Sequence, residues 1–105
     1  MVDKERIEEL LQEATVDCYG EEEEFTGILY TLDERLGFPL RARVLGVQVQ
    51  VVGLDDGRSS PRRGIVARVK RAGQEYRISL ADLEFIDPDP QSAEWLAMYQ
   101  QWLQW

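Results

Sequence analysis

Four consecutive carboxylates, Glu21-Glu22-Glu23-Glu24, follow Glu13 and Asp17 and form the densest group of chemically capable side chains in this 105-residue chain. Adjacent carboxylates repel one another. On a helix running unbroken through Gly20, Asp17, Glu21 and Glu24 would fall at i, i+4 and i+7 on one face, with their oxygens converging on a point that calls for a counter-ion. A hard cation such as calcium takes about six to eight oxygens from carboxylates, water and backbone carbonyls, and a helix break at Gly20 would free such carbonyls. Magnesium demands tighter octahedral geometry and gives up its waters reluctantly, so a flexible carboxylate cluster favours calcium. The competing reading of the same run is a solvated acidic first turn, stabilised by the dipole of the helix it opens. No stretch follows the D-x-[DN]-x-[DN]-G loop of an EF-hand, because Asp55-Asp56-Gly57 runs on into Arg58, Ser59 and Pro61, so any calcium site here is a non-EF-hand site.

The remaining polar groups are less sharply marked. Asp33 and Glu34 can complete such a site, form another, or pair with Arg35, Arg41 or Arg43. Glu84, Asp87 and Asp89 read as helix-capping residues ahead of Pro90, and Asp55 and Asp56 as turn residues. The single cysteine, Cys18, reads as a small core residue rather than a nucleophile. Arg58, Arg62, Arg63, Arg68, Lys70, Arg71 and Arg77 form a basic group that balances the acidic segments, with a phosphate contact as the alternative. One cysteine and no histidine exclude intramolecular disulfides, His-Cys zinc sites and Ser-His-Asp or Cys-His catalysis. Paired carboxylates acting as acid and base need a cleft that forces their pKa values apart, and nothing in the sequence locates one. The expectation is a protein that is not an enzyme.

Charge separates along the chain. Residues 1–24 carry ten acids against Lys4 and Arg6, residues 84–105 carry four acids and no base, and residues 25–83 carry ten bases against six acids. A net charge of −8 repels nucleic acid, while the acidic ends suit a cation or a basic protein. The N-terminus shows no signal-peptide pattern and no apolar run approaches the ~20 residues of a membrane span. A cytoplasmic protein that uses neither membrane nor nucleic acid is expected.

These side chains need elements to hold them. Ile7, Leu10, Leu11 and Ala14 recur at helical spacing in a segment from Asp3 to about Tyr19. Phe25, Ile28, Leu29, Leu32 and Leu36 mark a second helix from Glu21 to Leu36, ended by Gly37 as a left-handed cap and by Pro39. From Leu40 to Asp87 the period becomes two. Val47, Val49 and Val51 alternate with glutamines, residues 54–64 read as a loop, and Ile65, Ala67 and Val69 pair through an Ala72-Gly73-Gln74 turn with Tyr76, Ile78 and Leu80. A short 3₁₀-type turn and a last brief strand resemble the ending of SH3-like barrels. After Asp87-Pro88-Asp89-Pro90, with Asp89 or Ser92 as N-cap, Trp95, Met98, Tyr99, Trp102 and Trp105 form the stripe of a third helix. The expected fold is α+β and a single domain over 1–105. It has acidic helices over 1–37, a small antiparallel SH3-like β-barrel over 40–87, and a C-terminal helix over 90–105 packed with the helical pair on the barrel.

In combination, Val16-Asp17-Cys18-Tyr19-Gly20-Glu21-Glu22-Glu23 and Leu32-Asp33-Glu34-Arg35-Leu36-Gly37-Phe38-Pro39-Leu40-Arg41-Ala42-Arg43 resemble the small bacterial acidic calcium-binding protein family first described in cyanobacteria. Val49-Gln50-Val51-Val52-Gly53-Leu54, the segment from Ile78 to Asp87 and the tryptophan-ending terminus are similar to that family's barrel core and closing helix, so the resemblance covers nearly the whole chain. It implies a calcium buffer or sequestering protein, with metal ligands at Asp17, Glu21, Glu22 and Glu23 and with Asp33 and Glu34 in reserve. The chain departs from the family pattern at Cys18, where alanine is usual, and at Gly27-Ile28-Leu29-Tyr30-Thr31, where an aromatic cluster is usual. The alternative is a protein-interaction module, in which the barrel or the Trp95/Tyr99/Trp102 stripe binds a protein partner and the acids only solubilise.

Overall fold

The computed structural model describes residues 3–104 as three helices and a five-stranded antiparallel sheet, an α+β protein. The chain forms two compact units, one from residues 3–36 and 89–104 and the other from residues 37–88.

In the helical unit, α1 (Lys4–Ala14) begins where the Asp3 carboxylate accepts the Glu5 N–H at 3.3 Å, and it buries Leu10 and Ala14. Helix α2 (Glu21–Arg35) buries Phe25, Ile28, Leu29 and Leu32, the stripe that its sequence spacing demands. It stops because Leu36 turns extended (φ −72°, ψ 134°), so the expected left-handed cap at Gly37 is not used. Helix α3 (Pro90–Gln104) starts with proline in its first turn, where no intrahelical N–H bond is lost. Asp89 is its cap, accepting the Ser92 N–H at 3.0 Å, and hydrogen bonds from Ser92 hold the Asp89 carboxyl below its ordinary pKa.

Helix α3 packs against both α1 and α2. Trp95 and Tyr99 are each only 2% exposed and Met98 is fully buried. The Trp102 ring lies 6.1 Å from Phe25 and 6.3 Å from Tyr99, and the Arg35 guanidinium sits 5.9 Å from the Trp95 ring. Trp95, Met98 and Tyr99 are therefore core of this unit, with Trp102 half-buried beside them. Trp105 lies outside the described residues.

The sheet unit contains β1 (Leu40–Val44), β2 (Val47–Ser60), β3 (Gly64–Arg71), β4 (Gln74–Ser79) and β5 (Glu84–Phe85), ordered β4-β3-β2-β1-β5. Leu40, Ala42, Val49, Val51, Ile65, Ala67 and Val69 are buried on one face, while Arg41, Arg43, Gln48 and Gln50 point to the other. Register keeps like with like: Leu40 opposes Val51, Val51 opposes Val69, and Ala67 opposes Ile78. The Leu45-Gly46 and Ala72-Gly73 turns have positive φ at both residues, the backbone that matches the twist of a two-residue hairpin.

Two expectations are corrected here. Residues 54–64 are not a loop: β2 runs through Ser60, and only residues 61–63 turn. The polar side chains that suggest a loop instead stabilise an irregular strand, with register shifts between Val51 and Gly53 and between Asp55 and Ser60. Ser59 Oγ donates to the Asp55 carbonyl at 2.7 Å and accepts the Val66 N–H at 2.8 Å. The sheet is also open, with β4 and β5 as its two edges, and the closure of a barrel is not present. Strand β5 has only two residues and pairs with β1 alone, through Ala42–Phe85 and Arg43–Glu84, too little chain to reach a second neighbour.

Asp55 ties the long strand to β4. Its carboxylate accepts from Arg77 Nε at 2.6 Å and from the Arg58 N–H at 3.2 Å, and the Arg77 hydrogen bond is the main cause holding its pKa below the ordinary value. As pH falls, the unfolded chain takes up this proton before the folded chain does. The stabilisation is therefore complete above about pH 5 and is lost as Asp55 is protonated in the fold. Asp55→Asn is expected to lower the melting temperature at pH 7 and to flatten its fall between pH 5 and pH 2; parallel acid profiles for the two proteins would contradict this.

Candidate metal centre

The acidic motif sits where α1 gives way to α2. Thr15 ends α1: its N–H and its hydroxyl both donate to the Leu11 carbonyl, at 3.0 and 2.7 Å, and the Cys18 N–H then bonds to the Thr15 carbonyl at 3.1 Å. Asp17 adopts φ +60° and Gly20 φ +90°, so the helix does not continue through this segment. Aspartate and glycine are among the residues that tolerate such backbone. The helical register that would align Asp17, Glu21 and Glu24 is absent, and α1 ends five residues short of Tyr19.

Gly27 sets how closely the two helices approach. A Cβ built there would stand 2.5 Å from the Ala14 carbonyl oxygen and 3.1 Å from Cys18 Sγ. The approach leaves an open groove of about 460 Å³ lined by Asp17, Cys18, Glu22, Glu23, Thr26, Gly27 and Tyr30. Glu22, Thr26 and Tyr30 are spaced by four along α2, and Asp17 faces them from the turn.

Three of the four principal expected ligands, Asp17, Glu22 and Glu23, thus share one groove, while Glu21 is exposed outside its lining. Glu23 has a structural task as well: its Oε2 accepts the Tyr19 N–H at 2.6 Å, tying the turn to the first turn of α2. Asp33 and Glu34 lie at the other end of α2, about 15 Å along the axis from Glu23, too far to share an ion with it. Both are exposed, and Arg35 pairs instead with Glu13 at 3.3 Å. Glu84 pairs with Arg43 at 3.7 Å, and Asp89 caps α3.

The donors fit calcium by chemistry. Three carboxylates offer five hard oxygens besides the Glu23 oxygen that holds Tyr19, the Thr26 hydroxyl adds another, and Cys18 Sγ is the one soft atom. Among the described residues, no three acidic or thiol side chains stand close enough together to hold an ion in this conformation. Thr26 and Tyr30 were not distinguished by the sequence; their spacing from Glu22 becomes meaningful only once the helix start is fixed at Glu21.

Helices joined by a carboxylate-lined groove, together with an open antiparallel sheet and a sequence without histidine, define a small acidic α+β protein. The chain belongs to the CcbP calcium-binding family, whose model matches residues 5–103. Anabaena CcbP has the same fold at 26% identity, with a TM-score of 0.82 over 98% of this chain and 92% of that one. A calcium-binding protein solved in its calcium-binding form is 27% identical, with a TM-score of 0.78 over 97% of this chain and 91% of that one. No curated protein is similar enough to match. Among the described residues, no helix is long and apolar enough to cross a membrane.

Proposed function

We propose that this protein holds calcium through Asp17, Glu22 and Glu23, with Glu21 beside them, and acts as a cytosolic, non-enzymatic calcium buffer or sequestering protein. The observation that carries the reading is the shared groove of Asp17, Glu22 and Glu23 in a chain of a calcium-binding family. Asp17 and Glu22 are exposed, so their carboxylates can swing towards an ion by side-chain rotation, and water completes its shell. Glu23 contributes the oxygen not engaged by Tyr19. Asp33 and Glu34 supply at most a separate, weaker site at the far end of α2.

Calorimetric titration of metal-stripped protein with calcium, repeated in excess magnesium, tests the reading. Calcium heat that survives magnesium is expected. Asp17→Asn combined with Glu22→Gln should weaken affinity by about tenfold or more, since calcium affinity follows ligand charge, while Asp33→Asn with Glu34→Gln should leave the main site intact. Unchanged affinity in the first double variant would move the site elsewhere. Absence of heat, together with an unmoved melting temperature at millimolar calcium, would remove the calcium reading.

A further inference from the structure

We propose that the outer face of the sheet carries a second ligand site, a cationic groove that takes a compact polyphosphate anion, the diphosphate or triphosphate group of a small molecule. Arg41, Gln48, Gln50, Lys70 and Arg71 form its polar lining. Its volume of about 410 Å³ lies in the ordinary range for small-molecule sites. In the sheet register, Arg41 of β1 stands opposite Gln50 of β2, and Gln50 stands opposite Lys70 of β3. The two cations therefore flank one neutral amide across two strand spacings, about 10 Å of backbone that their long side chains can bridge. Arg71, the last residue of β3, leaves the strand on the opposite face from Lys70 and lines the groove at its end.

The pattern of ion pairing singles this groove out. The sheet unit holds nine bases against six acids. Asp55 takes Arg58 and Arg77, Glu75 takes Arg77 and Arg68, and Glu84 takes Arg43. Glu75 stands opposite Lys70 in register, yet its carboxylate turns to Arg77 at 2.8 Å. Among the described residues no carboxylate forms an ion pair with Arg41, Lys70 or Arg71. Arg62 and Arg63 also form no ion pair among the described residues, but they sit on the turn after β2 and line neither this groove nor the acidic one.

Three unpaired cations around one hollow repel one another, and a multivalent anion relieves that repulsion. Guanidinium groups bind phosphate oxygens in pairs, and adjoining phosphates place several negative charges within a few ångströms, where a carboxylate supplies one. The Gln50 amide can both donate and accept. A long polyanion such as nucleic acid would also meet the acidic remainder of a chain whose net charge is −8; a compact anion feels chiefly the groove.

The test is a calorimetric titration of the full chain with inorganic pyrophosphate and tripolyphosphate in calcium-free buffer containing a chelator, so that calcium–phosphate complexes cannot contribute. Both should bind, with orthophosphate about tenfold weaker. Lys70→Gln and Arg71→Gln should each weaken tripolyphosphate by about tenfold, while Arg62→Gln with Arg63→Gln changes it less than about twofold, all with unaltered melting temperature in the absence of ligand. No binding, an equal loss in the Arg62/Arg63 control, or tighter binding of a single-stranded oligonucleotide or a polyglutamate peptide would overturn the proposal.

Discussion

Trp95→Ala is expected to destabilise the helical unit by about 3–5 kcal/mol, the range for deleting a large aromatic side chain from a packed core. Trp95 is almost fully buried on α3, beside Met98 and Tyr99 and under the Arg35 guanidinium. Removing the indole leaves a cavity that neighbouring side chains fill only in part, and it strands the Arg35 contact. Small domains hold about 5–15 kcal/mol in total, so the loss is a large share. Urea unfolding followed by far-UV circular dichroism should show the midpoint falling steeply. Trp95→Phe should recover much of it, and Leu103→Ala, at a 43% exposed position of the same helix, should cost less than about 1 kcal/mol. Similar midpoints for Trp95→Ala and Leu103→Ala would show that α3 is not held by its aromatic stripe.

The second large effect is expected at Gly27. Valine there would drive its Cβ to 2.5 Å from the Ala14 carbonyl oxygen, a backbone atom at the end of α1 that no side-chain rotation can move. Either the helices separate or the turn between them distorts, at a cost of about 1–3 kcal/mol. Because Gly27 also lines the acidic groove, calcium affinity should fall together with stability. Gly57→Val is the matched control, since its Cβ would meet only Asp55 Oδ1 at an ordinary 3.5 Å. Equal stability of the two variants would mean that the α1–α2 approach is not sterically set at Gly27.

What could be read in advance depended on how local the cause was. The buried stripe from Phe25 to Leu32 and the alternation of Val49 with Val51 follow from the repeat of helix and strand, and both appear as expected. Asp89 as a cap before Pro90 needs only four neighbouring residues. The strand through residues 54–60 was hidden because its aspartates, serine and glycine carry turn chemistry, and only hydrogen bonds to Val66 and Arg77 on other strands make them part of a sheet. At the acidic motif the residue types were legible, but the grouping was not. Backbone turns at Asp17 and Gly20 replace the register Asp17/Glu21/Glu24 with the groove of Asp17, Glu22 and Glu23. The closeness at Gly27, which shapes that groove, depends on two helices meeting and leaves no mark in local sequence.

The two units differ in how they are written into the chain. The sheet is one continuous stretch, whereas the helical unit draws on residues from both sides of it. During synthesis α1 and α2 leave the ribosome before the sheet, but Trp95, Met98 and Tyr99, which share their core, follow it. The intervening strands can meanwhile close their hairpins between near neighbours. The helical unit must instead join its two parts across a loop of roughly 50 residues, at an entropic cost that grows only logarithmically with that length. The carboxylates at the α1–α2 turn therefore belong to a unit whose core is complete only when α3 docks.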